Sequence, residues 1–411
     1  MTLRQTIALE LQRLLRHSEA RNPQLTQLFW ESTLRCNAHC LHCGSDCNAA
    51  TGCTDAGAAA TTERNLEWAP GHPDSWKNAE AADFLKVIDE EITPHVDPHN
   101  VMIIISGGEP LMRKDLEEIG RALYEREYPW GIVTNGIAMT KQRFEALCQA
   151  GLRAISVSLD GLEEDHLWLR QHPLAYEGAI RTIRLAVDAH IAMDVITCVT
   201  PRILDKLPEM HRLLTSLGVP AWRLVPIEPM GRAASNPQLV LSPSQLRQLM
   251  DFIATAERTS DRGPGLLAPV SSSPNLVLSA VPAAPATPAT PPTRRMRVST
   301  GCSGFLGDYE GRVRDHLFHC AAGLSVASIL VDGSISACTS IRGKYYQGNI
   351  YRDKFWDVWQ NRFQPYRDRS WMRRLEPCNR CKVWRYCEGN GMHLREPDGH
   401  LLRCQYHQLF S

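Results

Sequence analysis

Apolar and polar residues follow two patterns that repeat along most of the chain. Short apolar runs bounded by glycine or polar residues predict buried strands at 28–33, 101–106, 129–134, 154–159, 192–200 and 222–227. Amphipathic stretches predict helices at 79–92, 114–127, 141–150, 178–190, 207–217 and 246–258. Strands that alternate with helices indicate repeated βα units around a parallel sheet. This pattern does not separate a full barrel, a partial barrel and an open sheet.

The two ends of the chain differ from this repeating middle. Residues 1–27 predict an amphipathic helical extension, and residues 28–260 contain the βα units. Residues 261–297 are rich in proline and alanine, which predicts an extended, flexible insertion with no core of its own. Short β-like runs, aromatic residues and cysteines characterise residues 298–411, which we predict to form a small α+β domain.

Charge and composition narrow the classes of partner. The 411 residues include 45 Lys plus Arg and 45 Asp plus Glu, a balance that argues against a nucleic-acid surface. The sequence has neither a signal-peptide pattern nor an apolar run long enough for a membrane helix, so we expect a cytoplasmic protein without a membrane partner. Fourteen cysteines in a reducing compartment then favour metal ligands over disulfides.

Three cysteines lie close together just after the first predicted strand. Cys36, Cys40 and Cys43 have the spacing C-x3-C-x2-C. Three thiolates on one loop can bind three irons of a cubane cluster, which leaves the fourth iron open to a substrate or cofactor. The alternative is a structural zinc site completed by Cys47 or Cys53. If it is no ligand, Cys47 is expected to be a stray loop thiol or a hydrogen donor.

The cysteine loop resembles a known family signature. The run C-N-x-x-C-x-H-C at 36–43 is similar to that of the radical S-adenosylmethionine (SAM) superfamily, and Gly107-Gly108-Glu109-Pro110 is similar to its GGEP motif. The resemblance implies an α/β fold with a partial (β/α)6 barrel, and a 4Fe-4S cluster that binds SAM. It also implies reductive cleavage of SAM to a 5'-deoxyadenosyl radical. The glycines would let the backbone approach the methionine part of SAM closely.

Further positions match the family less specifically. The resemblance implies contacts to the SAM ribose, carboxylate or adenine from Thr134, Asn135, Ser158, Asp160 and Arg170. Each of these residues is equally compatible with an ordinary strand-end turn or helix cap. We expect Cys148 and Cys198 to be ordinary buried cysteines.

The C-terminal cysteines follow a second pattern. A G-x4-C element ends at Cys338, and a C-x2-C-x5-C element ends at Cys387. These spacings resemble the SPASM domain, the auxiliary-cluster module of peptide-modifying radical SAM enzymes. The resemblance implies one or two auxiliary 4Fe-4S clusters with ligands from Cys302, Cys320, Cys338, Cys378, Cys381, Cys387 and Cys404.

Position 391 departs from the SPASM pattern, because Gly391 stands where the family has a further cysteine. We therefore expect one complete cluster on Cys378, Cys381, Cys387 and Cys404. The other site would retain Cys302, Cys320 and Cys338. It would keep an open iron, take a ligand such as His393, or be absent. Zinc on the four-cysteine set is the alternative.

Three functions follow from these motifs. The first is a radical SAM enzyme that modifies a peptide or small protein and receives electrons from a donor such as flavodoxin or ferredoxin. The second is a radical SAM enzyme that acts on a small molecule such as a tetrapyrrole. The third is a non-catalytic iron–sulfur or zinc regulatory protein.

Overall fold

The computed structural model describes residues 3–45, 47, 79–258, 295–301, 303–314, 316–341, 345–396 and 398–410. Cys53, Cys302 and nearly all of the predicted insertion at 261–297 lie outside the described residues. Within these ranges, no helix combines the length and the apolar character needed to cross a membrane.

Ten strands form one sheet. They are β1 (Gln27–Thr33), β2 (Met102–Gly107), β3 (Trp130–Thr134), β4 (Leu152–Ser158), β5 (Ala192–Val199), β6 (Ala221–Pro226), β7 (Arg297–Thr300), β8 (Val326–Ile329), β9 (Ser334–Ser336) and β10 (Gly348–Asn349). Their order across the sheet is β10-β9-β8-β1-β2-β3-β4-β5-β6-β7. Strands β8 and β1 to β7 pair in parallel, whereas β9 and β10 add an antiparallel edge. The prediction of an α/β fold with a parallel sheet is confirmed.

Twelve α-helices accompany the described strands. They are α1 (Leu3–Arg21), α2 (Ala81–Val87), α3 (Leu116–Glu125), α4 (Lys141–Gln149), α5 (Glu163–Arg170), α6 (Ala175–Asp188), α7 (Leu207–Ser216), α8 (Pro243–Arg258), α9 (Phe355–Asn361), α10 (Gln364–Arg367), α11 (Trp384–Cys387) and α12 (Gln405–Phe410). Helix α2 continues into a π-helical turn at Ile88–Ile92.

The six strands predicted from apolar runs correspond to β1 to β6, with small differences at their ends. The sequence-based prediction did not include α5. Its buried residues are Asp165, His166 and Leu169, so two of the three positions that face the interior are polar. The apolar periodicity that reveals a helix is therefore missing there.

The C-terminal region attaches to both sides of the βα units. Strand β7 pairs with β6, and β8 pairs with β1, which precedes it by about 300 residues. The predicted boundary at residue 298 falls within β7. Because the C-terminal chain contributes strands to this sheet, its cysteines are held in a fixed position relative to the loop after β1.

Tryptophan rings fill the layers between the sheet and its helices. Trp30 of β1 stacks on Phe84 of α2 with 4.3 Å between ring centroids. Trp130 of β3 is fully buried, and its indole Nε1 donates to the Ala150 carbonyl at 3.2 Å. Gly120 of α3 lies directly against this indole, and a Cβ atom there would overlap the ring.

We predict that Gly120→Ala lowers the free energy of unfolding by about 1–3 kcal/mol. Overpacking against the anchored Trp130 ring exceeds the gain of about 1 kcal/mol in helix propensity. Arg121→Ala, on the exposed side of the same helix, is the control and should change stability by no more than about 0.5 kcal/mol. Anaerobic chemical denaturation measures both, and a Gly120→Ala protein as stable as the parent would contradict the packing.

Candidate functional site

The first cysteine loop leaves the carboxyl end of β1, the edge of a parallel sheet at which α/β proteins bind their ligands. Cys40 is buried, and Cys36 and Cys43 are half-buried. The backbone N–H of Cys43 donates to the Cys40 carbonyl at 3.3 Å, which makes the loop a tight turn. All three cysteines remain predicted cluster ligands.

Two glycines at the end of β2 hold this loop in place. The Gly108 N–H donates to the Thr33 carbonyl at 2.7 Å, and the Glu109 N–H donates to the Arg35 carbonyl at 2.9 Å. A Cβ atom at Gly107 or Gly108 would overlap the backbone of Thr33 or Arg35. Gly107 also has a φ of 139°, which disfavours other residues. The glycines thus permit a close approach between the motif and the start of the cysteine loop.

The Glu109 carboxylate connects this motif to the end of β3. It accepts hydrogen bonds from Leu111 N–H at 3.1 Å, Thr134 hydroxyl at 2.7 Å and Asn135 N–H at 2.7 Å. Burial raises the pKa of Glu109, and these hydrogen bonds oppose that rise. The Asn135 amide then donates to the Asn37 side chain at 2.8 Å, next to Cys36. Pro110 is buried and begins the turn that Glu109 caps. Three predicted positions therefore meet in one network beside the cysteines.

Asp160 and Arg170 form an ion pair beside Cys40. The Arg170 Nε lies 2.5 Å from the Asp160 carboxylate, and its Nη1 lies 3.7 Å from the Cys40 sulfur. Asp160 also accepts from the Cys198 N–H at 2.8 Å and donates its own N–H to the His166 ring at 2.9 Å. Burial opposes ionisation of Asp160, but Arg170 lowers its pKa to about 2. Burial raises the pKa of the Cys40 thiol, and the Arg170 cation opposes that rise.

Ser158 is not part of this network. It is half-buried at the end of β4, and we find no hydrogen bond of its side chain among the described residues. Its neighbour Ser156 donates instead to Asp194 of β5 at 2.5 Å, deeper in the sheet. The predicted contact of Ser158 with SAM stays a prediction.

Several further residues surround the loop, and Arg232 among them was not predicted from the sequence. Cys47 is buried, and its sulfur lies 3.3 Å from that of Cys43, so it is not a stray thiol. Arg232, which follows β6, donates from Nε to the Cys40 carbonyl at 2.7 Å and from its backbone N–H to the Cys43 carbonyl at 2.9 Å. Its position after a parallel strand was the signal that could have revealed it. Cys198 joins His42 and Asp160 in a group whose donor atoms lie within 4.8 Å of one another.

The second site contains the three cysteines of the C-x2-C-x5-C element together with Cys404. They line one small cavity together with aromatic and backbone groups; the cysteines are Cys378, Cys381, Cys387 and Cys404. Burial and the neighbouring Cys404 raise the pKa of Cys387 to about 12 in the absence of a metal cation. Four sulfurs at one cavity are the donor set of a 4Fe-4S cluster, and the residues fit that group.

An arginine side chain and a backbone N–H donate hydrogen bonds to this sulfur set. The Arg395 Nη2 donates to the Cys378 sulfur at 3.3 Å, and the Asn390 N–H donates to the Cys387 sulfur at 3.3 Å. Arg395 is also held by the carbonyls of Gly389 and Gly399. Such hydrogen bonds stabilise negative charge on a cluster and set its reduction potential.

Cys320 and Cys338 lie apart from the four-cysteine cavity and close to a buried tyrosine. Burial, and to a smaller extent the charges of Cys338 and Cys320, raise the pKa of Tyr366. Burial opposes ionisation of Cys320, but the Arg369 cation and neighbouring groups lower its pKa. Burial lowers the pKa of the nearby His393 to about 4, so its imidazole is neutral.

Glu228 lies between the two sites, two residues beyond β6. Its carboxylate accepts from the Gln405 amide, next to Cys404, and its other oxygen is buried without a partner among the described residues. Burial raises the pKa of Glu228 to about 7, although Arg403 opposes that shift.

Comparison with protein families assigns two domains. A model of the Radical SAM superfamily matches residues 30–214, and the SPASM model of an iron–sulfur cluster-binding domain matches residues 320–382. The first range contains the cysteine loop, the GGEP motif and the Asp160–Arg170 pair. The second contains Cys320, Cys338, Cys378 and Cys381.

Individual proteins resemble the chain over most of its length. The AdoMet-dependent heme synthase of Methanosarcina barkeri is 25% identical over 368 residues, which cover 88% of this chain and 89% of that protein. Among solved structures, anSMEcpe with bound AdoMet has a TM-score of 0.61 at 15% identity and covers 94% of this chain and 91% of its own. SuiB of Streptococcus suis bound to the precursor peptide SuiA has a TM-score of 0.57 at 13% identity, with 92% and 75% covered. The two structures share the fold of this chain.

We predict that Glu228→Gln loses less stability than the parent protein when the pH rises from 5 to 8. The folded-state pKa of about 7 exceeds the usual value of 4.5, so the parent protein loses stability as the pH rises between these values. The amide cannot ionise and should remove about 1–3 kcal/mol of this loss. Denaturant unfolding at both pH values tests it, with exposed Glu209→Gln as the control. An identical pH dependence in the Glu228→Gln and parent proteins would count against a neutral buried carboxyl.

We also predict that Arg395→Gln lowers the reduction potential of the cluster on the four cysteines, because the variant loses an N–H donor to the Cys378 sulfur. An EPR-monitored redox titration of the full chain measures the shift. Lys382→Gln removes the same charge from an exposed position beside Cys381 and is the matched control. Equal shifts in both variants would mean that charge alone, and not the hydrogen bond, matters.

Proposed function

The chain belongs to the radical SAM superfamily and carries a SPASM domain, and we propose that it modifies a peptide or small protein by hydrogen abstraction. When bound, SAM and its 4Fe-4S cluster supply a 5'-deoxyadenosyl radical, and auxiliary clusters supply a place to store or return an electron. The observation that carries the proposal is the gathering of four cysteines at one cavity, in addition to the cysteine loop. An electron store of this kind suits an oxidative modification.

The residues around the first loop have distinct tasks in this proposal. Cys36, Cys40 and Cys43 bind the cluster, and Glu109 and Asn135 position the GGEP backbone beside it. The Asp160–Arg170 pair keeps a cation next to Cys40 and leaves the remaining guanidinium donors for an anionic group such as the SAM carboxylate. A flavodoxin or ferredoxin would deliver the reducing electron.

A peptide substrate is favoured by the architecture. The SPASM domain and the shared fold with SuiB, which was solved with its precursor peptide, both support this class. Glu228 would be available between the two cysteine sites as a proton acceptor for an oxidation that releases a proton.

A tetrapyrrole substrate is the second candidate, and a specific observation favours it. The heme synthase of Methanosarcina barkeri aligns over 88% of this chain and 89% of its own length. That alignment is longer than the 30–214 range of the radical SAM model and therefore extends beyond it.

A single anaerobic assay separates these candidates. We predict that the reconstituted full chain, with SAM and dithionite, forms 5'-deoxyadenosine and changes the mass of a small peptide encoded beside its gene. The triple variant C36A/C40A/C43A should form no 5'-deoxyadenosine, because it lacks the cluster that reduces SAM. Cys148→Ala, which changes a thiol on α4, is the matched control and should retain activity.

Three other outcomes are informative. If the peptide mass is unchanged while an iron coproporphyrin is converted, the substrate is a tetrapyrrole and the peptide proposal is wrong. If 5'-deoxyadenosine forms but neither the peptide nor the iron coproporphyrin is converted, both substrate proposals are wrong. If the parent and the triple variant both leave SAM intact, the chain is a non-catalytic cluster protein.

A further inference from the structure

The segment after Cys387 departs from a cysteine pattern at Gly391, and the structure places a histidine ring at that point. A Cβ atom built on Gly391 would lie 2.6 Å from Cε1 and 2.9 Å from Nδ1 of His393. Real Cβ atoms do not approach ring atoms this closely, so the imidazole occupies the space that a side chain at position 391 would enter. A neutral imidazole nitrogen is a common metal ligand and replaces cysteine in some iron–sulfur clusters.

A cysteine thiol reaches the same segment from another part of the chain. One side chain, that of Arg369, holds both Cys320 and the residue just before Gly391. It donates from Nη1 to the Asn390 carbonyl at 3.0 Å and from Nη2 to the Cys320 carbonyl at 3.3 Å. Cys320 is therefore next to the segment that carries the histidine.

Cys338 belongs to the same neighbourhood. Its charge and that of Cys320 both act on the Tyr366 phenol, which donates to the Tyr345 carbonyl at 2.5 Å. The Ser336 hydroxyl donates to the Cys338 carbonyl at 3.3 Å and holds the end of the G-x4-C turn. Both thiols therefore lie near Tyr366.

Within the described part of the chain, the His393 ring makes no polar or aromatic contact that would explain its presence. Among the described residues we find no hydrogen bond to either of its nitrogens, and it takes part in no ring stacking or ion pair. His393 is half-buried, and a neutral imidazole nitrogen that no described protein group engages is available to bind a metal. Simple space-filling would be achieved more readily by an apolar side chain.

We infer that His393 is a ligand of a second auxiliary iron–sulfur cluster, together with Cys320 and Cys338, in place of the cysteine that Gly391 cannot supply. This assignment goes beyond the proposed function, because it concerns which atoms hold a cluster and not which substrate is modified. It explains why Gly391 and His393 occur together: the glycine makes room for the ring.

Nitrogen hyperfine spectroscopy of the full chain tests the assignment. The chain carries C36A/C40A/C43A and contains no SAM, so that only auxiliary clusters contribute and no SAM nitrogen can couple. Reduced protein grown with 15N-histidine should show strong nitrogen coupling to a cluster. His393→Cys should abolish the coupling but retain the iron and sulfide content.

Iron content in further variants supplies independent readouts. His393→Ala should lose the iron of one cluster, and the double variant Gly391→Cys/His393→Ala should regain it without nitrogen coupling. The matched control His400→Ala, an exposed histidine nearby, should resemble the parent in both measurements. The EPR signal of the four-cysteine cluster in each variant verifies that the domain has folded.

Two results would overturn the inference: a parent spectrum without histidine coupling, or an unchanged iron content in a folded His393→Ala protein. Because the measurements use neither substrate nor SAM cleavage, they can succeed or fail independently of the peptide and tetrapyrrole candidates.

Discussion

The contact between the end of β2 and the start of the cysteine loop determines the rest of the site. The N–H groups of Gly108 and Glu109 donate to the carbonyls of Thr33 and Arg35, and no side chain fits at either glycine. This contact fixes the loop relative to the neighbouring strand ends, so that Glu109 can reach Thr134 and Asn135. Hydrogen bonds therefore connect the cysteine loop, the GGEP motif and the end of the third strand.

The second constraint is the attachment of the C-terminal chain to both outer strands of the βα units. Strand β8 adds to β1 and β7 adds to β6. These pairings attach the C-terminal region to the same sheet as the first cysteine loop. Helix α1 strengthens this arrangement from outside, since Arg16 pairs with Glu388 at 2.9 Å, directly after Cys387. A fixed separation between clusters is what electron exchange between them requires.

Strands β1 to β6 could be predicted because buried parallel strands are nearly continuous apolar runs, as in 101–106. The C-terminal strands could not, since the pairing of β8 with β1 joins residues about 300 positions apart and leaves no local signal. The resemblance to the SPASM domain grouped Cys378, Cys381, Cys387 and Cys404, and the structure places all four at one cavity.

The hydrogen bonds between side chains could not be predicted from the spacing of the sequence motifs. The sequence marked Glu109 as a SAM contact, but not as an acceptor of three hydrogen bonds within the protein. It left Cys47 as a fourth zinc ligand, a stray thiol or a hydrogen donor, and the loop turns that sulfur to within 3.3 Å of Cys43. Turn geometry of this kind depends on tertiary contacts such as Arg232 to the Cys40 carbonyl, which come from 192 residues away.

The proximity of Cys47 makes one measurement decisive for the claim that three thiolates leave an iron free for SAM. EPR spectra of the reduced, anaerobically prepared chain are recorded before and after the addition of SAM, in the parent and in Cys47→Ala. The account predicts that SAM shifts the g values of one cluster in both proteins. Spectra that SAM leaves unchanged, or a loop that holds zinc on four sulfurs, would contradict it.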